Sequence, residues 1–217
     1  MTAQTRSQLS DSGTSMTAFG TLAPMRAVML EVPEFLLAER RRLGHDRLDE
    51  MWEGVLHMVP PPRSGHYDMA TELIITLSFI VRPLGLDVRQ DGGLFDPAVR
   101  DYSSYRQPDV MVFGADVRSE RGIEGAAHLA IEIRSPNDES FEKLPFYERV
   151  GVQEVLIIDP ATASIRHWSN GPGGLVESVP EADGRIMSAA LPVAFRIKAG
   201  ALRIEHDGVT TDVAFST

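Results

Sequence analysis

Two acidic residues of this 217-residue chain lie within or beside apolar runs that are typical of buried β-strands. Glu132 lies in the middle of Leu129-Ala130-Ile131-Glu132-Ile133, where a carboxylate is costly to bury unless it is paired or binds a metal. Asp109 precedes the run Val110-Met111-Val112-Phe113, and Lys143 follows the run that contains Glu132. Two acids at strand positions and a lysine are the groups needed to hold Mg²⁺ on a phosphodiester and hydrolyse it with water.

Each of these residues also has a simpler structural explanation. Glu132 and Arg134 share one face of the predicted strand, so they can form an ion pair at a sheet edge. An aspartate after a proline, such as Asp109, is often a turn or strand-start residue. Lys143 can be a solvent-exposed helix lysine. The chemical interpretation therefore depends on the three residues being brought together.

Composition restricts the classes of function. The chain is 43% hydrophobic and 24% charged, as in ordinary globular proteins, and is long enough for one well-buried domain. It has no cysteine, which excludes disulfides, thiolate metal sites and a cysteine nucleophile and fits a reducing compartment such as the cytoplasm. No apolar run reaches the roughly 18 residues of a membrane span.

The formal net charge of −10 argues against a protein that coats nucleic acid. It is compatible with a small cleft that contacts a few phosphates. The arginines considered for such a cleft are Arg40, Arg41, Arg42, Arg47, Arg100, Arg106, Arg118 and Arg121.

The order of the predicted elements favours an α+β fold, with a mixed β-sheet flanked by helices in an α/β/α-like arrangement. Residues 1–24 are predicted to be a disordered leader and residues 25–217 a single domain. Helices are predicted over 32–43, 65–82 with Ser64 as N-cap, and 139–150. Pro145 is tolerated only in a first turn, which favours a start of the third helix proper near Phe141 or later. Strands are predicted over 51–59, 86–90, the run after Asp109, 128–134, 154–158 and 164–168. From about residue 170, short strands between glycine-rich turns predict a small β-rich C-terminal extension.

Several short motifs together resemble the Uma2 family, whose members are putative endonucleases of the PD-(D/E)XK superfamily. The resemblance covers about residues 30–165. The motifs are Trp52-Glu53-Gly54-Val55, Gly65-His66, Gln107-Pro108-Asp109-Val110, Glu132-Ile133-Arg134-Ser135-Pro136, Lys143 with Tyr147, Gly151-Val152-Gln153-Glu154 and Ile158-Asp159-Pro160.

This resemblance implies a restriction endonuclease-like core and a site for Mg²⁺, with Mn²⁺ as a possible substitute. By the resemblance, Asp109 and Glu132 are the metal-binding acids and the backbone carbonyl of Ile133 is a further ligand. Lys143 would orient or deprotonate the attacking water. The implied substrate is DNA, and a homodimer is expected because such folds often pair to cut two strands.

The sequence departs from the superfamily pattern at Arg134, where a lysine commonly follows the acid by two residues. Arginine stays protonated and cannot act as a general base, but it can stabilise charge that develops on phosphate. Lys143, on the following helix, matches the position of the family lysine, and Tyr147 lies one turn away to pack against it or orient it. Glu53 and His66 are further candidates for a third ligand or for positions around the metal.

The sequence thus predicts a Mg²⁺-dependent endodeoxyribonuclease. One alternative is a nuclease-fold module that binds or assembles but no longer cuts, which the net charge and Arg134 both favour. Another is a hydrolase of small phosphodiesters. The sequence contains neither a glycine-rich phosphate loop followed by Lys-Ser/Thr nor a Gly-x-Ser-x-Gly elbow, which disfavours those classes of hydrolase.

Overall fold

The computed structural model describes residues 31–136 and 138–215, so the predicted leader lies outside the described residues. Within these ranges, no helix has both the length and the apolar character needed to cross a membrane. The α-helices are α1 Glu34–Leu43, α2 Ser64–Val81 and α3 Leu144–Arg149, and short 3₁₀ turns lie at His45–Leu48, Arg82–Leu84, Ala115–Val117 and Phe141–Lys143. The strands are β1 Glu50–Trp52, β2 Val55–His57, β3 Leu86–Gln90, β4 Leu94–Phe95, β5 Tyr105–Arg106, β6 Val110–Gly114, β7 Ile123–Glu124, β8 Leu129–Ile133, β9 Glu154–Asp159, β10 Ser164–Gly171, β11 Gly174–Glu177, β12 Ile186–Met187, β13 Ala194–Lys198, β14 Ala201–His206 and β15 Val209–Ala214.

Six of the described strands form a central mixed sheet in the order β11-β10-β9-β8-β6-β3. β8 and β9 are parallel, and every other neighbouring pair is antiparallel. Parallel neighbours need a crossover connection, and α3 lies in the segment between β8 and β9. The predicted α+β fold with a mixed, helix-flanked sheet is therefore confirmed.

The two faces of the central sheet pack against different layers. On the α2 face, Leu129 and Ile131 of β8 belong to one buried cluster with α2 and the C-terminal strands. On the α3 face, Ala130 of β8 belongs to a second cluster with Phe146 and Tyr147 of α3. Because side chains alternate along a strand, Glu132 points to the α3 face.

α2 forms as its apolar periodicity predicts, with residues at three- and four-residue steps buried on one side. These residues are Met69, Ala70, Leu73, Leu77 and Val81. Ser64 is the first residue of the helix, with Arg63 in the N-cap position and no capping side-chain bond, so the prediction of Ser64 as N-cap is wrong. The first turn of α2 nevertheless begins where predicted, which places His66 in it.

The predicted strand over 51–59 is wrong, because the chain reverses in its middle. Glu53 and Gly54 both have positive φ, at 47° and 86°, as the two central residues of a type I′ hairpin require. β1 and β2 therefore pair with each other, with Glu50 opposite His57. They join a second described sheet, in the order β2-β1-β5-β4-β7, and this hairpin brings Glu50 into the interior.

The third predicted helix is shorter than 139–150. A 3₁₀ turn at Phe141–Lys143 precedes α3, and Pro145 lies in the first turn of α3, where a proline is tolerated because its missing N–H needs no partner. Lys143 thus lies in the tight turn that leads into the helix.

The C-terminal strands divide between two sheets. β11 pairs with β10 in the central sheet, whereas β12 to β15 form a separate antiparallel sheet. The separate sheet packs against α2 through a shared cluster that includes Leu202, Ile204 and Val213. The segment that follows residue 170 therefore first completes the central sheet and then covers α2.

A buried carboxylate connects the central sheet to the segment that leads into β13. Glu154, at the start of β9, accepts hydrogen bonds from the hydroxyl of Ser188 and from the N–H of Ala189 (2.6 Å). His167 Nε2 lies 3.5 Å from the same carboxylate. Burial alone would raise the pKa of Glu154, but the nearby His167 and the hydrogen bonds from Ser188 and Ala189 outweigh it and lower the pKa below the usual 4.5. Glu154 therefore stabilises the fold as a charged group.

We expect Glu154→Gln to lower the free energy of unfolding at pH 7 by about 1–3 kcal/mol, because buried donors lose a charged acceptor. The wild-type contribution is complete above the ordinary pKa of 4.5 and is lost as the pH falls through the lower folded-state pKa. Urea unfolding at several pH values should thus show the two proteins converging in acid. Glu177→Gln is the matched control, since Glu177 is exposed and paired only at the surface with Arg166. A pH-independent difference would contradict this account.

Candidate active site

Asp109 and Glu132 occupy opposite positions on neighbouring antiparallel strands. The last pair of the β6–β8 ladder is Val110 with Ile131, and Asp109 and Glu132 are the next residues outward on each chain. Residues at opposite positions project from the same face of a sheet. The topology thus brings the two predicted acids together on the α3 face.

Asp109 is fixed from two sides. Its Oδ2 accepts the backbone N–H of Ile133 at 2.6 Å, and its Oδ1 lies 2.9 Å from Nε2 of His66 in the first turn of α2. The N–H and C=O of one strand residue point to the same side, so the carbonyl of Ile133 also faces Asp109. The predicted ligand atoms of Asp109 and Ile133 are therefore neighbours.

Glu132 is buried, with a residue exposure of 3%. One carboxylate oxygen accepts the hydroxyl hydrogen of Tyr147, and the other lies 3.0 Å from Nζ of Lys143. Both partners come from the segment that runs from Lys143 to Tyr147. The alternative ion pair between Glu132 and Arg134 is not present, because Lys143 takes that place.

Lys143 has a second carboxylate partner that the sequence analysis missed. Its Nζ lies 2.9 Å from Oε1 of Glu50 and donates to the backbone carbonyl of Gln107 at 3.4 Å. Glu50 is 2% exposed and accepts hydrogen bonds from the N–H of Gln107 and from Nε1 of Trp52, both at 2.7 Å. A largely buried lysine thus lies between two buried acids from different sheets.

The neighbouring charges shift the pKa values of Glu132 and Lys143. Burial, together with the nearby Asp109 and Glu50 carboxylates, raises the pKa of Glu132 to about 8, although Lys143 opposes the shift. Burial would lower the pKa of Lys143, but Glu132, Glu50 and Asp109 outweigh it and raise that pKa. Lys143 therefore remains an ammonium group, which favours a role in orienting water or stabilising charge over a role as base.

Two comparisons with known proteins give a match. The family model of Uma2, described as "Putative restriction endonuclease", matches residues 32–200. The chain belongs to the Uma2 family. A similar solved structure is described as a putative nuclease belonging to DUF820 from Anabaena variabilis ATCC 29413; it has a TM-score of 0.53 and 20% sequence identity, and the match covers 64% of this chain and 80% of that chain. At this identity the likeness shows a shared fold. No curated protein matches the sequence.

The donor atoms of this Uma2-family site suit a hard divalent cation. They are the two carboxylates and the Ile133 carbonyl, and Mg²⁺ commonly binds one or two carboxylates and keeps several waters. No group of three or more metal-ligating side chains is assembled within the described ranges, so waters would have to complete the coordination. Each carboxylate oxygen has about two lone pairs, so Asp109 and Glu132 retain acceptor capacity beside their present partners. The residues therefore fit Mg²⁺.

Arg134 directly follows β8, but its side chain contacts other residues than Glu132. Its NH1 donates to Asp159 at 2.6 Å, its Nε is 3.6 Å from Asp138, and its guanidinium lies 5.0 Å from the centre of the Phe141 ring. Two carboxylates thus neutralise its charge. The predicted contact of Arg134 with phosphate receives no support from this arrangement.

Glu53 does not join the cluster of acids. It lies in the hairpin turn and pairs with Arg106 and Arg149, at 3.2 and 2.6 Å. The acid of this hairpin that reaches Lys143 is Glu50 rather than Glu53. His66 contacts Asp109, and Tyr147, which the sequence predicts to pack against or orient Lys143, donates its hydroxyl hydrogen to Glu132.

Proposed function

We propose that this Uma2-family protein is a Mg²⁺-dependent nuclease that hydrolyses phosphodiester bonds in DNA. One observation carries the proposal: Asp109, Glu132 and the Ile133 backbone meet at the ends of two neighbouring strands, with the Lys143 ammonium 3.0 Å from Glu132. Two acids, a backbone carbonyl and a lysine at one place are the groups that metal-assisted phosphodiester hydrolysis requires.

In this proposal, Asp109, Glu132 and the carbonyl of Ile133 would hold the ion, with Mn²⁺ as a substitute. When bound, Mg²⁺ lowers the pKa of a coordinated water and polarises the scissile phosphate. Lys143 places a fixed positive charge beside Glu132, where it can orient the attacking water and stabilise charge on the phosphate oxygens. Since Lys143 remains protonated, the proton of the water must pass to another acceptor, such as solvent or a phosphate oxygen.

The remaining residues position these groups. Tyr147 and Glu50 hold the Glu132 carboxylate and the Lys143 ammonium from opposite sides. His66 and the N–H of Ile133 hold the two oxygens of Asp109. Groups constrained in this way lose little freedom when a substrate binds, which favours catalysis.

The burial of Glu132 favours a second candidate, a nuclease-fold module that binds or assembles without cutting. Both oxygens of Glu132 already have partners, and the side chain is shielded from solvent. Such a module would bind no divalent cation at this place. A hydrolase of small phosphodiesters is the other alternative, since the site chemistry would be the same.

Metal titration and cleavage assays on the wild-type protein separate these functions. Calorimetry with Mn²⁺ should show saturable binding, and Mg²⁺ should support nicking of plasmid DNA that EDTA stops. A small phosphodiester tested in parallel should react more slowly than the polymer. If the protein binds no Mn²⁺ and cuts no DNA, the module is the better description, and if only the small diester reacts, DNA is not the substrate.

The homodimer implied by the family resemblance is part of the proposal, because two copies would be needed to cut both strands together. The chain has a mass of 23.9 kDa. Light scattering at several concentrations should give about twice that mass, and a mass equal to one chain throughout would contradict the dimer. A cytoplasmic location remains a prediction from the lack of cysteine.

A further inference from the structure

A cleft of about 410 Å³ lies between the 3₁₀ turn that follows α1 and the first turn of α2. Its lining includes His45 and Arg47 from the 3₁₀ turn, Tyr67 from α2, and Asp91 from the turn after β3. None of these residues belongs to the machinery described above.

The cleft adjoins the Asp109 end of the site. The ring of Tyr67 lies 6.4 Å from the ring of His66, edge to face, and His66 contacts Asp109. Asp91 is within electrostatic reach of both Asp109 and His66. A ligand in the cleft would therefore lie next to the carboxylate proposed to bind the metal.

Arg47 differs from the arginines that precede it. Arg40, Arg41 and Arg42 pair with Asp49, Glu34 and Glu39. Arg47 is exposed and makes no ion pair with any residue in the described ranges. A guanidinium with no carboxylate partner in the described ranges keeps its donors available for an anion, and guanidinium groups bind phosphate well.

Tyr67 supplies a second element of recognition. It is 39% exposed, so part of its ring is open to the cleft. A base can stack on such a ring whatever its sequence. Arg47 and Tyr67 thus offer one group for a phosphate and one for a base on the walls of one cleft.

The size of the cleft favours a single nucleotide. A volume of about 410 Å³ is in the range of a small-molecule site and cannot enclose a base-paired duplex. It suits one nucleotide that is unstacked from its neighbours, as in single-stranded or locally opened DNA.

We infer that this cleft seats an unpaired nucleotide of the substrate strand, with Arg47 on a phosphate, Tyr67 against a base and the next phosphate directed to Asp109 and Glu132. The inference rests on the proposed nuclease function and deepens it, because it makes single-stranded or opened DNA the preferred substrate. Binding through the cleft needs no metal, so it can be measured apart from cleavage.

The test is the binding of a fluorescent single-stranded oligonucleotide to the full chain, measured by anisotropy in EDTA and again in Ca²⁺ over a series of salt concentrations. The variants are Arg47→Gln and Tyr67→Leu. Lys198→Gln is the matched control, because it removes the same charge from an exposed residue of β13.

We expect Tyr67→Leu to weaken binding at least about fivefold, since a stacked base is lost. Arg47→Gln should lower the slope of log affinity against log salt by about 0.7, the contribution of one phosphate of a single strand. The control should bind like the wild type, and a duplex of the same sequence should bind more weakly. If the wild type does not bind the single strand even at low salt, or if Lys198→Gln matches Arg47→Gln, the inference is wrong.

Cleavage assays on the same proteins separate this inference from the nuclease proposal. If the wild type cuts DNA with Mg²⁺ but both variants bind and cut like it, the cleft is not the nucleotide site and the nuclease proposal stands. If binding depends on Arg47 and Tyr67 but no metal supports cleavage, the cleft is a nucleic-acid site on a protein that does not cut.

Discussion

Asp109→Asn is expected to abolish Mg²⁺-dependent cleavage of DNA, with a loss of at least about a hundredfold, while the protein remains folded. Asparagine keeps the size of the side chain and an oxygen that can accept the Ile133 N–H, but it removes the charge that a hard cation needs. Loss of groups merely adjacent to a metal ligand already costs about 10–100-fold, so loss of the ligand charge should cost more.

The measurement is the initial rate of plasmid nicking with Mg²⁺, together with calorimetry of Mn²⁺ binding. Asp87→Asn is the control, because Asp87 is a partly exposed aspartate of β3 that pairs with Arg118. It should cut and bind metal like the wild type. A rate for Asp109→Asn equal to that of the parent would refute the assignment of the metal site.

Lys143→Met is expected to lower both activity and stability. The substitution leaves Glu132 and Glu50 buried without the cation that lies 3.0 and 2.9 Å from them. Removing one partner of a buried ion pair typically costs about 3–5 kcal/mol. Cleavage should fall as well, since the fixed charge beside the proposed metal ligands is lost.

Urea unfolding measures the stability change, and a second substitution separates its causes. Glu50→Gln in the Lys143→Met background should restore part of the stability, because it removes one of the uncompensated acids, but it should not restore cleavage. Lys198→Met, at an exposed lysine, should change neither property. A Lys143→Met protein as stable as the wild type would show that the buried pair does not stabilise the fold.

Sequence reasoning predicted the elements of the candidate site where local patterns are strong. The apolar run around Glu132, the run after Asp109 and the periodicity of α2 each specify an element on their own, whereas Lys143 lies in the 3₁₀ turn before α3 and not on the helix itself. These elements also account for the order of helices and strands along this part of the chain. The family resemblance implied that Asp109 and Glu132 lie together, and the ladder register places them one step beyond its last pair, Val110 with Ile131.

The contacts of Glu50 could not be predicted in the same way. Residues 51–59 alternate as one strand would, and Glu53-Gly54 is a weaker hairpin signal than Asn-Gly or Asp-Gly. The two-residue turn pairs Met51 with Leu56 and Glu50 with His57, so each face of the hairpin carries odd-numbered residues from one strand and even-numbered residues from the other. A continuous strand would place only every second residue on one face, and it therefore predicts the wrong neighbours. Glu50 also meets Lys143 only through tertiary structure, although its position as an acid at the start of an apolar stretch was a usable signal.

The sheet of β12 to β15 has a consequence for the candidate site. It shares a buried cluster with α2 through Met69, Leu73 and Val213, and α2 carries His66, which holds Asp109. The C-terminal sheet therefore supports the helix whose His66 contacts Asp109, the acid proposed to bind the metal. Shortening the chain before β12 would remove one side of this shared core and expose the apolar face of α2, so the position of His66 also depends on C-terminal residues that do not contact Asp109.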